Sequence, residues 1–177
     1  MKFSWTIGWA ILGTCLLAGC ERSATNPAPP SPSINPISSV PTKVQPKLPT
    51  IKVWLGSQEL VTEVAATDLQ IRTGMMFREA IAENEAMLFV FDRPEYRAFW
   101  MKNVSVPLSC AYIDPNGVIL ETHDMTPQET KPIESASDRI QFVLETKQGW
   151  FDRNKVSTGT VVRTERGSLV ETFFRRR

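Results

Sequence analysis

The chain has one histidine, His123, and three cysteines, Cys15, Cys20 and Cys110. A lone imidazole excludes multi-histidine zinc sites and leaves one base of that type. No sign of charge predominates: 20 Lys and Arg stand against 19 Asp and Glu, a net charge of +1. A nucleic-acid-binding domain carries a marked basic excess, so no nucleic-acid partner is expected. The one basic run, Arg175-Arg176-Arg177, reads as a frayed terminus. A Gly-rich phosphate loop, a Cys-x-x-Cys pair and a Gly-x-Ser-x-Gly elbow are all missing, so the sequence implies no cofactor and no metal. Hydrophobic residues make up 42% and charged residues 22%, a composition typical of a globular protein.

The first residues read as an address. Lys2 gives a short positive start, and Phe3 to Leu16 is mostly apolar. Small residues follow in Leu17-Ala18-Gly19-Cys20, completing a secretory signal pattern over residues 1–19. The apolar part is about 16 residues, short of the roughly 20 needed to span a bilayer. Leu-Ala-Gly-Cys resembles the bacterial lipobox. That resemblance implies cleavage before Cys20, a thioether to diacylglycerol on its thiol, and a further acyl chain on its amine. Two or more chains anchor stably where one does not. The membrane is therefore an expected partner, through Cys20. Glu21, where Asp commonly retains such proteins at the inner membrane, favours the outer membrane of a Gram-negative envelope, by analogy. Cys15 would leave with the signal and Cys20 would carry lipid. Cys110 then remains alone, and no intrachain disulfide is possible.

Residues 20–50 form a different material, with Pro27, Pro29, Pro30, Pro32, Pro36, Pro41, Pro46 and Pro49 among Ser, Thr and Asn. Such a segment buries too little to fold and reads as a disordered, semi-rigid spacer, reaching up to roughly 90 Å. Residues 51–177 read as one globular domain. Strands are expected at Ile51–Leu55 and Leu60–Ala66. A short helix follows, opened by a Thr67/Gln70 capping box and stopped at Gly74. Ala86–Phe91, apolar on both faces, reads as a central strand. It is expected to turn through Asp92-Arg93-Pro94-Glu95 into a second strand, Tyr96–Met101. A hairpin, Leu108–Ile113 with Val118–His123, turns over Asp114-Pro115-Asn116-Gly117. Arg139–Thr146 is a further strand, Gln148–Asn154 a short helix, and Thr160–Arg163 and Leu169–Phe174 closing strands. The class is α+β: a strand-rich small domain, either a partly closed barrel or a strongly bent antiparallel or mixed sheet, with two short helices.

Five blocks carry a family resemblance. They are Arg72-x-Gly-Met-Met-x-Arg78, Met87-Leu88-Phe89-Val90-Phe91, Phe99-Trp100-Met101-Lys102-Asn103, Pro107-Leu108 and Ile113-Asp114-x-x-Gly117. In order and spacing they resemble the domain of unknown function numbered 192, also called uncharacterised protein family 0127. The resemblance runs from about Leu60 to about Val162. Many members of that family look secreted or envelope-anchored, so it implies a fold and a compartment but no activity. Ser109-Cys110-Ala111 departs from the more uniformly acidic-apolar stretch that follows Pro-Leu in the family.

The block ending in Lys102-Asn103 raises the functional question. An ammonium and an amide past a buried strand suit a carboxylate, phosphate or peptide carbonyl. Arg72 and Arg78, flanking a helix end, would complete an anion-seeking cluster, and Asp114 would orient the lysine. The bland alternative has Lys102 laying its stem over Trp100 or Phe99, and Asn103 serving a turn. The partner would be an unknown small molecule or an envelope protein. A binding module, an enzyme acting through Lys102 and a purely structural domain all stay open. The methionines read as core filler rather than a copper site. Cys110 and His123 are not expected to form a dyad. A type I turn with a bulge at Gly117 pairs Asp114 with Val118 and would set Cys110 opposite Thr122.

Overall fold

A computed structural model describes residues 40–175. The signal, Cys20, the spacer up to residue 39, and Arg176 and Arg177 lie outside the described residues.

The domain is built on a mixed eight-stranded sheet. Strands β1 (Thr50–Leu55) and β2 (Gln58–Ala65) form a hairpin turning at Gly56-Ser57. Helix α1 (Asp68–Thr73) then crosses to β3 (Glu85–Glu95), which pairs with β2 in parallel. The helix begins and ends as its residues demand. Thr67 accepts from Gln70 N, Gln70 reaches back to Thr67 N, and Gly74 closes it at φ +46°. Beyond β3 come the short β4 (Ala98–Phe99), β5 (Leu108–Ile113), β6 (Ile119–Met125), β7 (Ile133–Glu134) and β8 (Ile140–Lys147). Helix α2 (Trp150–Arg153), β9 (Val162–Thr164), β10 (Gly167–Ser168) and helix α3 (Leu169–Phe173) finish the chain.

The sheet order is β10-β9-β1-β2-β3-β8-β5-β6, with β4 and β7 paired apart from it. One bridge, Val118 to Val161, joins its two ends. A single bridge is not a ladder, so the sheet bends on itself without closing into a barrel. That corrects the barrel alternative. The mixed, bent sheet stands, with three short helices among the described residues rather than two.

The extra helix comes from the last expected strand. Leu169–Phe173 is helical because Ser168 and Glu171 make a second capping box, Ser168 Oγ accepting from Glu171 N at 3.2 Å. A second correction concerns Tyr96–Met101. It does not pair with β3, because β2 and β8 already occupy both edges of that strand. The Asp92–Glu95 stretch is not a turn either; β3 runs on through it with a bulge after Val90. The chain then leaves the sheet, and of this segment Ala98–Phe99 alone pairs as a strand, with β7.

Both faces of the central strands are covered, as the doubly apolar Ala86–Phe91 requires. Ala86, Leu88, Val90, Phe142 and Leu144 face a core closed by α2 and α3 through Trp150, Phe151 and Leu169. Met87, Phe89, Cys110, Tyr112 and Val143 face the other, closed by Met75 and Met76 after α1 and by Met101 and Val104. Residues 40–49, spacer by composition, lie against the domain. Gln45 Nε2 donates to Gly74 O at 2.8 Å, and Leu48 N donates to Glu63 Oε2 at 2.7 Å.

Candidate functional site

A pocket opens at the edge of the second core. Between α1, the end of β3 and the segment from Tyr96 to Val104 lies a cavity of about 430 Å³. Its size falls near the low end of small-molecule pockets. Phe89, Phe91, Phe99 and Trp100 supply its aromatic lining, Arg72 and Arg97 also line it, and Val40 and Pro41 add a wall from the spacer end. Phe99 organises the rings. Its centroid lies 4.8 Å from Phe89, 6.4 Å from Phe91 and 6.1 Å from Tyr112, all edge-to-face.

One carboxyl reaches this cavity from the sheet. Glu145 on β8 is 4% exposed, lines the cavity, and its Oε2 has no hydrogen-bond partner among the described residues. Its ladder neighbours are Met87 on β3 and Cys110 on β5. Removed from water, the charged form is disfavoured, and its pKa is pushed up to about 8. At neutral pH Glu145 is therefore mostly a neutral carboxyl, an O–H donor as well as an acceptor. Also in the lining, Arg97 sits with its guanidinium carbon 3.8 Å over the Phe91 ring. Its Nη1 donates to Glu95 and its Nη2 to Arg93 O, while its buried Nε lacks a partner among the described residues.

The residues singled out from the sequence do not gather here. Arg72 alone of them lines the cavity. Arg78 is buried and bonds Glu63 Oε2 through Nη2 at 2.8 Å. Lys102 Nζ lies 5.2 Å from the Trp100 ring centroid. Asn103 adopts φ +59°, a left-handed turn conformation, and its carbonyl accepts from Phe77 N at 2.8 Å. Asp114 Oδ1 accepts from Asn116 N and Val118 N, both at 2.9 Å, and so stabilises the β5–β6 hairpin. Lys102 and Asn103 thus hold the positions the bland alternative described, on the loop that carries Trp100 to the cavity.

The hairpin register corrects one expectation. The turn is as read, with Asp114 N donating to Val118 O at 3.0 Å. A further bulge at Leu120 then adds one residue: Ile113 faces Ile119 but Tyr112 faces Glu121. Cys110 consequently lies opposite His123, not Thr122. They still make no dyad. His123 Nε2 bonds Glu121 Oε2 at 2.9 Å, no hydrogen bond joins the Cys110 thiol to the His123 imidazole among the described residues, and burial pushes the thiol far up.

Sequence reasoning passed over Glu145. In Ile140-Gln-Phe-Val-Leu-Glu-Thr it reads as the polar face of a strand covered on one side. The available signal was the neighbourhood. A strand lying between two doubly apolar strands, β3 and β5, has no solvent face for a carboxylate.

Fold and site together define a bent mixed-sheet domain with an aromatic cavity over a buried carboxyl. The chain belongs to the DUF192 family, described as Uncharacterized ACR, whose model matches residues 51–164. It is similar to the crystal structure of a candidate transcription regulator from Sinorhizobium meliloti, at 28% identity and a TM-score of 0.65, over 68% of this chain and 97% of that one. It is also similar to a protein of unknown function from Novosphingobium aromaticivorans, at 25% identity and a TM-score of 0.64, over 71% and 94%. No curated protein matches the chain.

Proposed function

We propose that this is a lipid-anchored envelope protein whose domain binds a small molecule in the aromatic cavity. The observation that carries the binding role is Glu145. A buried carboxyl without a partner costs stability, and such a cost is commonly retained where a ligand uses the group. The anchor rests on Leu17-Ala18-Gly19-Cys20. No helix among the described residues is long and apolar enough to cross a membrane. The outer membrane is the favoured compartment, from Glu21. The regulator label of the Sinorhizobium protein gains no support from this chain's net charge of +1.

Saturable binding of small molecules to the full chain, read as a rise in melting temperature, tests the first half. It should vanish in Ala98→Trp, where an exposed cavity-lining residue becomes bulky enough to fill the mouth. Binding unchanged in that variant would place the ligand elsewhere. Mass spectrometry of the N-terminal peptide tests the anchor: an unmodified Cys20 would remove it. A second reading, an enzyme, is favoured by the same carboxyl, since a pKa near neutrality suits a general acid. Turnover lost in Glu145→Gln would separate it from a binding module.

A further inference from the structure

The chemistry of the cavity narrows what can enter it. Its walls are faces and edges of Phe89, Phe91, Phe99 and Trp100, which suit a flat apolar or aromatic body. Glu145 Oε2 and Arg97 Nε, on two of the residues that line it, are buried polar atoms without a partner among the described residues. A neutral carboxyl can offer an O–H and a guanidinium offers only N–H groups, so an acceptor oxygen is the one ligand group that satisfies both. A cation is poorly served, although aromatic walls beside a carboxyl would otherwise suit one. The Arg97 guanidinium already lies over Phe91, and Arg72 adds a second positive charge to the lining.

Resting on the binding role above, we propose that the cavity takes a small aromatic carbonyl compound, its ring among Phe89, Phe99 and Trp100 and its oxygen accepting a hydrogen bond from Glu145. The oxygen of an amide, an aldehyde or a carboxylate meets the same requirement. Burial alone raises the Glu145 carboxyl; Glu145 in turn acts on Cys110 and Tyr112 on β5, as does Glu121 on β6, while Arg72 and Arg97 are the cations of the cavity lining. Burial keeps the thiol and the phenol protonated, so neither adds a negative charge to the core beside Glu145.

The test uses the full chain in lipid nanodiscs with 13C-methyl methionine, because Met75 and Met76 line the cavity. Benzamide, benzoate, toluene and phenyltrimethylammonium are titrated at pH 7. Benzamide is expected to shift both methyls saturably, and benzoate as well where the carboxylate is accepted. Toluene should bind at least about tenfold more weakly than benzamide, for want of the hydrogen bond. Glu145→Leu should weaken benzamide by a similar factor, and Glu145→Gln, which keeps an N–H donor, by about threefold or less. Toluene or phenyltrimethylammonium binding as tightly as benzamide would overturn the oxygen recognition while leaving a binding pocket intact. Equal benzamide affinity in Glu145→Leu would do the same. Methyls unmoved by all four probes would overturn the pocket itself.

Discussion

Glu145 on β8 and Cys110 on β5 are direct partners in the ladder that joins these strands. A carboxyl and a thiol therefore lie side by side under an aromatic cavity. Burial raises the thiol pKa first, and the neighbouring Glu145 raises it further. Native Cys110 is expected to resist iodoacetamide at pH 8 and to react once the chain is unfolded in urea. Rapid alkylation of the folded protein would mean that the thiol is more open than its burial implies.

Glu145 sets a slope of stability against pH. The folded carboxyl holds its proton to about pH 8, while the unfolded one releases it near 4.5. Between those values the native state binds the extra proton, so stability falls as pH rises, by up to about 1.4 kcal/mol per pH unit. Glu145→Leu should remove this component and raise stability at pH 8 by a few kcal/mol, about what a buried uncompensated charge costs. Urea unfolding of both proteins from pH 5 to 8.5 measures the difference. Parallel curves would show that the folded Glu145 titrates near its ordinary value.

Arg78 acts through Glu63. Both side chains are about nine-tenths buried, and Glu63 also accepts from Leu48 N and pairs with Lys47 at 3.3 Å. Arg78→Ala should cost about 3 kcal/mol, because it leaves a buried carboxylate with only the exposed Lys47 as its charged partner. Replacing both partners, Arg78→Met with Glu63→Gln, should cost less than the single change. Chemical denaturation of the three proteins decides this; a double variant weaker than Arg78→Ala would contradict it.

Lys102 and Asn103 should separate on mutation. Lys102→Ala removes the contact of a half-buried lysine with the exposed Trp100 ring and should cost no more than about 1 kcal/mol. Asn103→Gly should be near neutral, since glycine accepts φ +59° without strain. Asn103→Val should cost about 1–3 kcal/mol, because a β-branched residue resists that conformation. Thermal melts rank the three. A large loss in Lys102→Ala would reveal a structural partner for its ammonium.

Much of the scaffold was legible because its signals are local. Thr67, Gln70 and Gly74 delimit α1 through side-chain and backbone bonds within a few residues. The turn at Asp114–Gly117 likewise follows from proline and glycine backbone preferences. The same logic, applied to Ser168 and Glu171, would have revealed α3. The reading of Leu169–Phe174 as a strand followed its apolar content instead. Tyr96–Met101 failed for a non-local reason: nothing in its residues says that both edges of β3 are taken. The Leu120 bulge, which moves Cys110 opposite His123, is no more visible in Leu120 itself.

The candidate site divides along the same line. The sequence alone determined that Ala86–Phe91 is a doubly covered central strand, that Cys110 is the one thiol of the domain, and that an aromatic block precedes Lys102. Local propensity and hydrophobic pattern suffice for such statements, because they concern neighbours along the chain. Only the tertiary structure decided that Glu145 is buried, that Phe89, Phe91 and Phe99 converge beside it, and that Arg78 belongs to an ion pair. Those relationships join residues up to dozens of positions apart. They depend on strand order, and strand order arises when the whole sheet satisfies its backbone bonds and buries both its faces at once.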